Sequence, residues 1–152
     1  TPLLVGGGVG VPPLFNLAKK LIAAGKKPTV ILGFNRAEEI FYAREFEELG
    51  ASVIVTTVDG SEGVKGFVTD ALPPSFSFVY SCGPMPMLRA IKKYAEEAGI
   101  PAYISLEEHM ACGIGACLGC VVKTAKKDPH SHVNNTRICT EGPVFEAQEV
   151  EI

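Results

Sequence analysis

Four cysteines constrain this chain more than any other feature. Cys112, Cys117 and Cys120 follow the pattern C-x4-C-x2-C, and Cys139 follows after 18 intervening residues. That is the ligand order of plant-type [2Fe-2S] centres, where three thiolates come from one loop and the fourth arrives from afar. A structural zinc also takes four thiolates, but its sites usually present two short C-x2-C-like pairs. The residues between the first three cysteines, Gly113, Ile114, Gly115, Ala116, Leu118 and Gly119, are nearly all small. Backbone amides there can close around the sulfurs and donate to them. We therefore expect Cys112, Cys117, Cys120 and Cys139 to be metal ligands, with a zinc-stapled interaction module as the alternative that keeps the ligands and loses the redox role. His130 and His132 fall in the polar stretch 126–135, which reads as a solvated loop, so imidazole ligation of the Rieske kind finds no support. His109 stands three residues before Cys112, where it either tunes the metal site or faces solvent.

Composition narrows the setting. With 152 residues, 47% of them apolar and 20% charged, the chain can build a real core. A net charge of -3 with no basic stripe argues against nucleic acid as the main partner. No apolar run is long enough for a transmembrane helix, and residues 1–5 lack the basic start of a signal peptide. A cytoplasmic protein is expected, and five cysteines there point to metal or redox chemistry rather than disulfides. Charge is balanced over residues 1–106, whereas residues 107–152 hold four Lys and Arg against seven Asp and Glu, together with the four spaced cysteines. Two modules are expected, 1–106 and 107–152.

The first module alternates short β-branched runs with helical periodicity, which predicts an α/β fold with a five-stranded parallel sheet. The strands fall at residues 3–5, 29–34, 52–57, 76–81 and 102–106. Pro12 and Pro13 suit the first turn of a helix that Gly25 stops. Asn35 is expected to cap a second helix, with Glu38 completing a capping box, running to Leu49. A third helix covers residues 86–98, with Leu88, Ile91 and Ala95 inward. In the tail, 121–123 reads as a strand leaving the cysteine loop, and 142–145 as a turn followed by a strand. Ligands of such sheets bind outside the carboxyl ends of the strands.

At those ends lie the candidate nucleotide residues. Gly6, Gly7, Gly8, Val9 and Gly10 form a loop between strand and helix, where close backbone approach and free N–H groups make a pyrophosphate site; a tight turn that merely needs glycine is the plainer reading. The loop departs from the dinucleotide fingerprint, since Val11 replaces its third glycine. Cys82, Gly83 and Pro84 form a second small-residue loop facing the same crevice, although Cys82 alone also suits a buried small hydrophobe. Asp59 can accept hydrogen bonds from a ribose or belong to an ordinary Asp-Gly turn. No acidic residue ends the second strand; Asn35 and Arg36 stand there, and Arg36 could hold a 2'-phosphate, which leaves NAD against NADP open.

A nicotinamide nucleotide and a [2Fe-2S] centre handle electrons in pairs and singly, and a flavin is the standard converter between them. The two modules use up the chain and it starts at Thr1, directly in a strand, so we expect a fragment of a longer flavoprotein whose flavin domain precedes it. The glycine loop running on to Pro12, Pro13 and Leu14, Asp59-Gly60-Ser61 with residues 66–70, Cys82-Gly83-Pro84-Met85, and Met110 through the cysteine loop with Cys139 and residues 142–145 resemble the electron transfer subunits of type B dihydroorotate dehydrogenases. The resemblance covers nearly the whole chain. It implies a ferredoxin-reductase-like NAD domain, the cluster on these four cysteines, and FAD held largely by an N-terminal barrel. It also implies a partner in a hetero-tetramer, the FMN-containing catalytic subunit that oxidises dihydroorotate in pyrimidine biosynthesis, with electrons passing from FMN through the cluster and FAD to NAD. Cys82, Gly83 and Pro84 would then lie near nicotinamide and flavin. The nearest rival keeps the chemistry and changes the partner: an NAD(P)H-linked iron-sulfur flavoprotein subunit of a ferredoxin, sulfide or hydrogenase complex.

Overall fold

The computed structural model describes residues 1–130 and 132–152. Ser131, inside the stretch read as a solvated loop, lies outside the described residues. The first strand, β1 (Pro2–Gly7), is buried along its whole length, as a strand covered on both faces must be. Its side chains alternate, so Leu3 and Val5 enter one apolar cluster and Leu4 the other. β2 (Thr29–Phe34) repeats the division, with Ile31 on the first side and Val30, Leu32 and Phe34 on the second. α1 (Val11–Ala23) and α2 (Ala43–Glu48) cover that second side, where Phe46 is fully buried and meets Phe15 edge-on at 5.1 Å.

β3 (Ser52–Thr57) and the two-residue β4 (Val64–Lys65) extend the sheet one way from β1. β5 (Phe78–Cys82) and β6 (Ala102–Ser105) extend it the other. α3 (Met85–Ala98) joins them and buries Leu88, Ile91 and Ala95 against the first face, then ends at Gly99 with φ 65, the left-handed residue that closes a helix. The tail supplies β7 (Val121–Thr124), β8 (Asn135–Arg137), the single turn α4 (Ile138–Glu141), β9 (Val144–Glu146) and β10 (Val150–Glu151). β10, β7 and β8 form a small antiparallel sheet, while β9 adds antiparallel to β6.

Two expectations need correction. The main sheet has seven strands, in the order β4-β3-β2-β1-β5-β6-β9, rather than five. The five expected strands are all present and mutually parallel; the additions are too short, at two and three residues, to carry an alternating pattern. The continuous helix expected after Asn35 is broken into a short 3-10 turn at Ala37–Glu39 and α2, with Tyr42 left-handed at φ 66 between them. Aromatic packing outweighs helical propensity here, because the break lets Phe41 meet Phe34 at 5.5 Å and Tyr42 meet Phe15 at 5.1 Å. Asn35 makes no helix cap; its N–H groups donate to Glu39 instead, and Glu38 has no capping-box role.

The tail shares the sheet's core. Cys120, Ile138, Phe145, Ala147 and Val150 belong to the same buried cluster as Leu3, Leu88 and Ile104. Lys92 on α3 fastens the junction, its Nζ donating to the carbonyls of Ala147 at 2.7 Å and Val150 at 2.9 Å and pairing with Glu96 at 3.1 Å. Lys92→Met leaves both carbonyls without that donor, at a cost of about 1–3 kcal/mol. Amide hydrogen exchange over residues 144–151 should quicken while that of β1 stays slow; unchanged protection in the tail would show the lysine to be incidental.

Candidate functional site

The connection from β1 leads to a neighbour on one side and that from β5 to a neighbour on the other, so a crevice opens between their carboxyl ends. Both loops at this crevice are made of small residues. After β1 the chain makes a 3-10 turn over Gly8–Gly10 and enters α1 through Val11, Pro12 and Pro13. The prolines remove two N–H groups from the first helical turn, so the amides left for an anion belong to the glycine turn itself. After β5, Gly83 and Pro84 lead into α3. The loops touch through glycine: a side chain on Gly10 would collide with the Cys82 carbonyl and the Gly83 amide, and one on Gly83 would meet the Gly7 backbone at 3.0 Å.

Two clefts meet over this contact. The larger, about 450 Å3, is lined by Gly7, Gly8, Asn35, Glu39, Thr56, Phe67 and Pro84 among others, and its apolar floor includes Phe34, Val58 and Val68. The smaller, about 420 Å3, is lined by Gly7, Gly8, Val9, Gly83, Pro84, Glu107, Glu108 and His109. Gly7, Gly8 and Pro84 face both. Gly6 and Gly10 lie beneath as packing positions, and Cys82 lines neither cleft; its half-buried thiol is pushed up in pKa by burial, an effect Ser105 opposes by hydrogen bonding and the Glu107 charge reinforces. Asp59 also lines neither. It accepts from Ser61 N at 2.9 Å and Ser61 Oγ at 2.6 Å, bonds that hold its carboxyl below the ordinary range, and Ser61 Oγ in turn accepts from Ala37 N at 2.8 Å. Asp59 thus ties the loop after β3 to the loop after β2.

Sequence reasoning missed Glu39, Thr56 and Glu107 as lining residues. Thr56 carries the most specific signal: its hydroxyl is fully buried beside the larger cleft and has no hydrogen-bond partner among the described residues, though such groups are nearly always satisfied. A threonine inside a β-branched strand gives no sign of this in the sequence. Glu107 stands two residues beyond the end of β6, where no motif pointed.

The chain leaving β6 passes along the smaller cleft and then enters the cysteine loop. There the four thiols fall into two pairs, Cys112 with Cys117 and Cys120 with Cys139. Among the described residues no three His, Cys, Asp or Glu side chains converge as on a single ion. Backbone amides surround the sulfurs: Gly119 N donates to Cys117 Sγ and Cys139 N to Cys120 Sγ, each at 3.4 Å. Amides of Ile114, Cys117 and Ala116, with the Cys117 thiol, bring the Cys112 thiol down to about 6. The Cys139 amide likewise lowers Cys120, whereas Cys139 is raised by its shared hydrogen bond with Cys120. Cys112 and Cys120, so favoured as thiolates, are ready metal ligands. Arg137 braces the arrangement, donating to the Gly115 carbonyl at 3.1 Å while its own N–H donates to Glu141 Oε2 at 2.6 Å. A two-plus-two set of amide-ringed thiols fits a diiron cluster, with two ligands for each iron, better than a lone tetrahedral ion.

A nucleotide-sized crevice in a parallel sheet, joined to an arm of four amide-ringed thiols, is the layout of a ferredoxin-reductase-like nucleotide-binding domain that carries an iron-sulfur binding domain. The comparisons agree: residues 4–93 match the oxidoreductase NAD-binding domain, and residues 107–151 match the iron-sulfur cluster binding domain of dihydroorotate dehydrogenase B. The chain is 51% identical to the dihydroorotate dehydrogenase B (NAD(+)) electron transfer subunit of Fusobacterium nucleatum, over 100% of its own length and 58% of the relative's. The Geobacillus subunit is 50% identical over 97% of this chain and 56% of that one. A solved structure of the NADH-dependent reduced ferredoxin-NADP oxidoreductase is 34% identical, with a TM-score of 0.83 over 99% of this chain and 54% of that one. The flavohaem-like FAD/NAD-binding domain of a Vibrio cholerae nitric oxide dioxygenase, 24% identical over 65% of this chain and 46% of that one with a TM-score of 0.56, shares the fold. The chain belongs to the family of dihydroorotate dehydrogenase B electron transfer subunits, and it spans a little over half the length of the curated relatives it matches.

Contact between the two glycine loops makes a direct prediction. Gly10→Ala forces the Cys82 carbonyl away and costs about 1–3 kcal/mol as overpacking. The denaturation midpoint should fall accordingly, and an unchanged midpoint would show the loops free to separate.

Proposed function

We propose that this chain is the NAD-binding and cluster-binding part of an electron transfer subunit that carries electrons between the FMN of a dihydroorotate dehydrogenase catalytic subunit and NAD, by way of a [2Fe-2S] centre and FAD, in pyrimidine biosynthesis. The observation that carries the reading is the paired, amide-ringed set of Cys112, Cys117, Cys120 and Cys139, one arm's length from a dinucleotide-sized crevice. Identity of 51% and 50%, over 100% and 97% of this chain, to subunits of that name supports the substrate and the partner. Residues 1–106 act as the nucleotide module and residues 107–152 as the cluster module, with FAD held mainly by a preceding barrel that the longer relatives have room for. In this reading the subunit works in the cytoplasm beside the catalytic subunit, as a hetero-tetramer; among the described residues no helix is long and apolar enough to cross a membrane.

Each group has a stated task. Backbone amides of Gly7, Gly8 and Val9 receive the pyrophosphate, and Gly83 and Pro84 bound the space for the nicotinamide. Asp59 and Ser61 hold the two loops that frame the other end. When bound, the cluster supplies one-electron transfer, which the flavin matches to the two-electron chemistry of the nicotinamide. The cysteines hold the metal as thiolates, and the amides around them stabilise negative charge on sulfur.

A second reading rests on the structural match at 34% identity: the same chemistry serving a ferredoxin-linked oxidoreductase. Reduction of the intact protein by dihydroorotate in the presence of the catalytic subunit supports the first reading; reduction by reduced ferredoxin alone supports the second. The metal is tested separately. Anaerobically prepared protein should hold about two irons and two acid-labile sulfides with visible absorption, and Cys117→Ser should lose most of the iron and colour. One zinc and no colour in the unaltered protein would establish the stapled module and end the redox reading.

A further inference from the structure

Arg137 reaches into the cysteine loop from outside it. It stands at the end of β8, and its Nη1 donates to the carbonyl of Gly115, which lies between Cys112 and Cys117 in the chain, at 3.1 Å. Glu141 holds the arginine from behind, accepting from Arg137 N at 2.6 Å, from Arg137 Nη2 at 3.4 Å and from Thr136 Oγ1 at 2.8 Å. Glycine permits the approach: a side chain on Gly115, whose φ is 82, would meet Thr140 at 3.1 Å and the Arg137 stem at 3.7 Å. Among the described residues no other lysine or arginine hydrogen-bonds to residues 112–120. The carbonyl that Arg137 grips belongs to the peptide joining Gly115 to Ala116, and the N–H of that same peptide, on Ala116, donates to the Cys112 sulfur. A trans peptide points its C=O and its N–H opposite ways, so arginine, peptide and sulfur stand in a chain in which each dipole polarises the next. The peptide before it serves the other pair, with the Gly115 N–H donating to the Cys139 sulfur.

We propose that Arg137 is a positioning residue that sets the reduction potential of the [2Fe-2S] centre: through the Gly115–Ala116 peptide it places positive charge behind the Cys112 sulfur and so favours the reduced centre, which holds one more electron. Hydrogen bonds to the sulfurs and charge close to them are the levers by which a protein moves such a potential. Glu141 works in both directions, since it fixes the guanidinium but brings a negative charge of its own. The inference rests on the cluster reading of the four cysteines and adds which side chain tunes the centre and with what sign.

Potentiometric titration of the intact, anaerobically prepared protein, followed by visible absorption and with iron measured in each sample, tests it. At the potential where the unaltered centre is half reduced, Arg137→Gln should lower the ratio of reduced to oxidised centre about tenfold, the equivalent of about 59 mV for one electron. Arg137→Lys keeps the charge and a donor, and should keep most of the ratio. Glu141→Gln removes the opposing charge while still accepting from the Arg137 amide, and should raise the ratio. Opposed shifts are what a mere brace would not produce. An unchanged ratio in Arg137→Gln, an Arg137→Lys ratio as low as that of Arg137→Gln, or shifts of one sign in Arg137→Gln and Glu141→Gln each overturns the role given to Arg137. Loss of iron from all three variants reduces the arginine to a structural support and overturns it too. Where only one of the two charge-removing variants loses its iron, the other decides by the sign of its shift. Absence of iron from the unaltered protein refutes the cluster reading itself.

Discussion

One row of backbone pairing across the sheet sets every distance that matters. Leu32 pairs with Gly6, Gly6 with Cys82, Cys82 with Ser105, and Ser105 with Val144. The glycine turn, the Cys82 loop, the start of the cysteine arm and the tail's return strand therefore leave the sheet at one level. A slip of one residue anywhere in that row would exchange the faces of a strand, moving Leu3 from its own apolar cluster into the space that Leu4 fills on the other side, so the different packing of the two faces fixes the register. The cleft and the cysteine arm inherit their separation from strand geometry rather than from flexible loops.

That constraint explains which parts were legible in the sequence. α3 could be read almost residue by residue, because Leu88, Ile91 and Ala95 face the sheet at helical spacing and Gly99 stops it. Strands β2 and β3 matched their apolar runs for the same reason. β9 was legible as a turn and a strand, but its partner was not: antiparallel pairing to β6 depends on a contact across some forty residues that no local pattern encodes. The helix after Asn35 misled because the capping pair Asn35 and Glu38 favoured it, and the competing aromatic contacts of Phe34, Phe41, Tyr42 and Phe15 exist only after folding.

The candidate site divides in the same way. Cysteine spacing and glycine runs are local signals, and the residues they name lie where strand ends meet. Glu39, Thr56 and Arg137 carry no such mark. Glu39 reaches the cleft because a 3-10 turn reverses the chain; Thr56 because Gly33 beside it has no side chain to fill the space; Arg137 because Gly115 comes to lie against Thr140. Each is placed by backbone shape, which the fold supplies only as a whole.

The cysteine arm also has an inside and an outside. Cys120 is buried in the core shared with the sheet, beside half-buried Cys139, whereas Cys117 is exposed. Exposed Cys117 and half-buried Cys112 have apolar neighbours along the chain, with Ile114 76% and Leu118 63% exposed and Met110 half exposed. Apolar residues gathered on a surface that gains nothing from showing them to water are typical of a contact face. An electron relay needs this asymmetry, one side anchored by the protein's own core and the other brought close to a partner. A zinc staple needs only the anchored half. The exposed Cys117 and the apolar residues beside it fit the proposed transfer between subunits, a use that a purely structural metal would not give them.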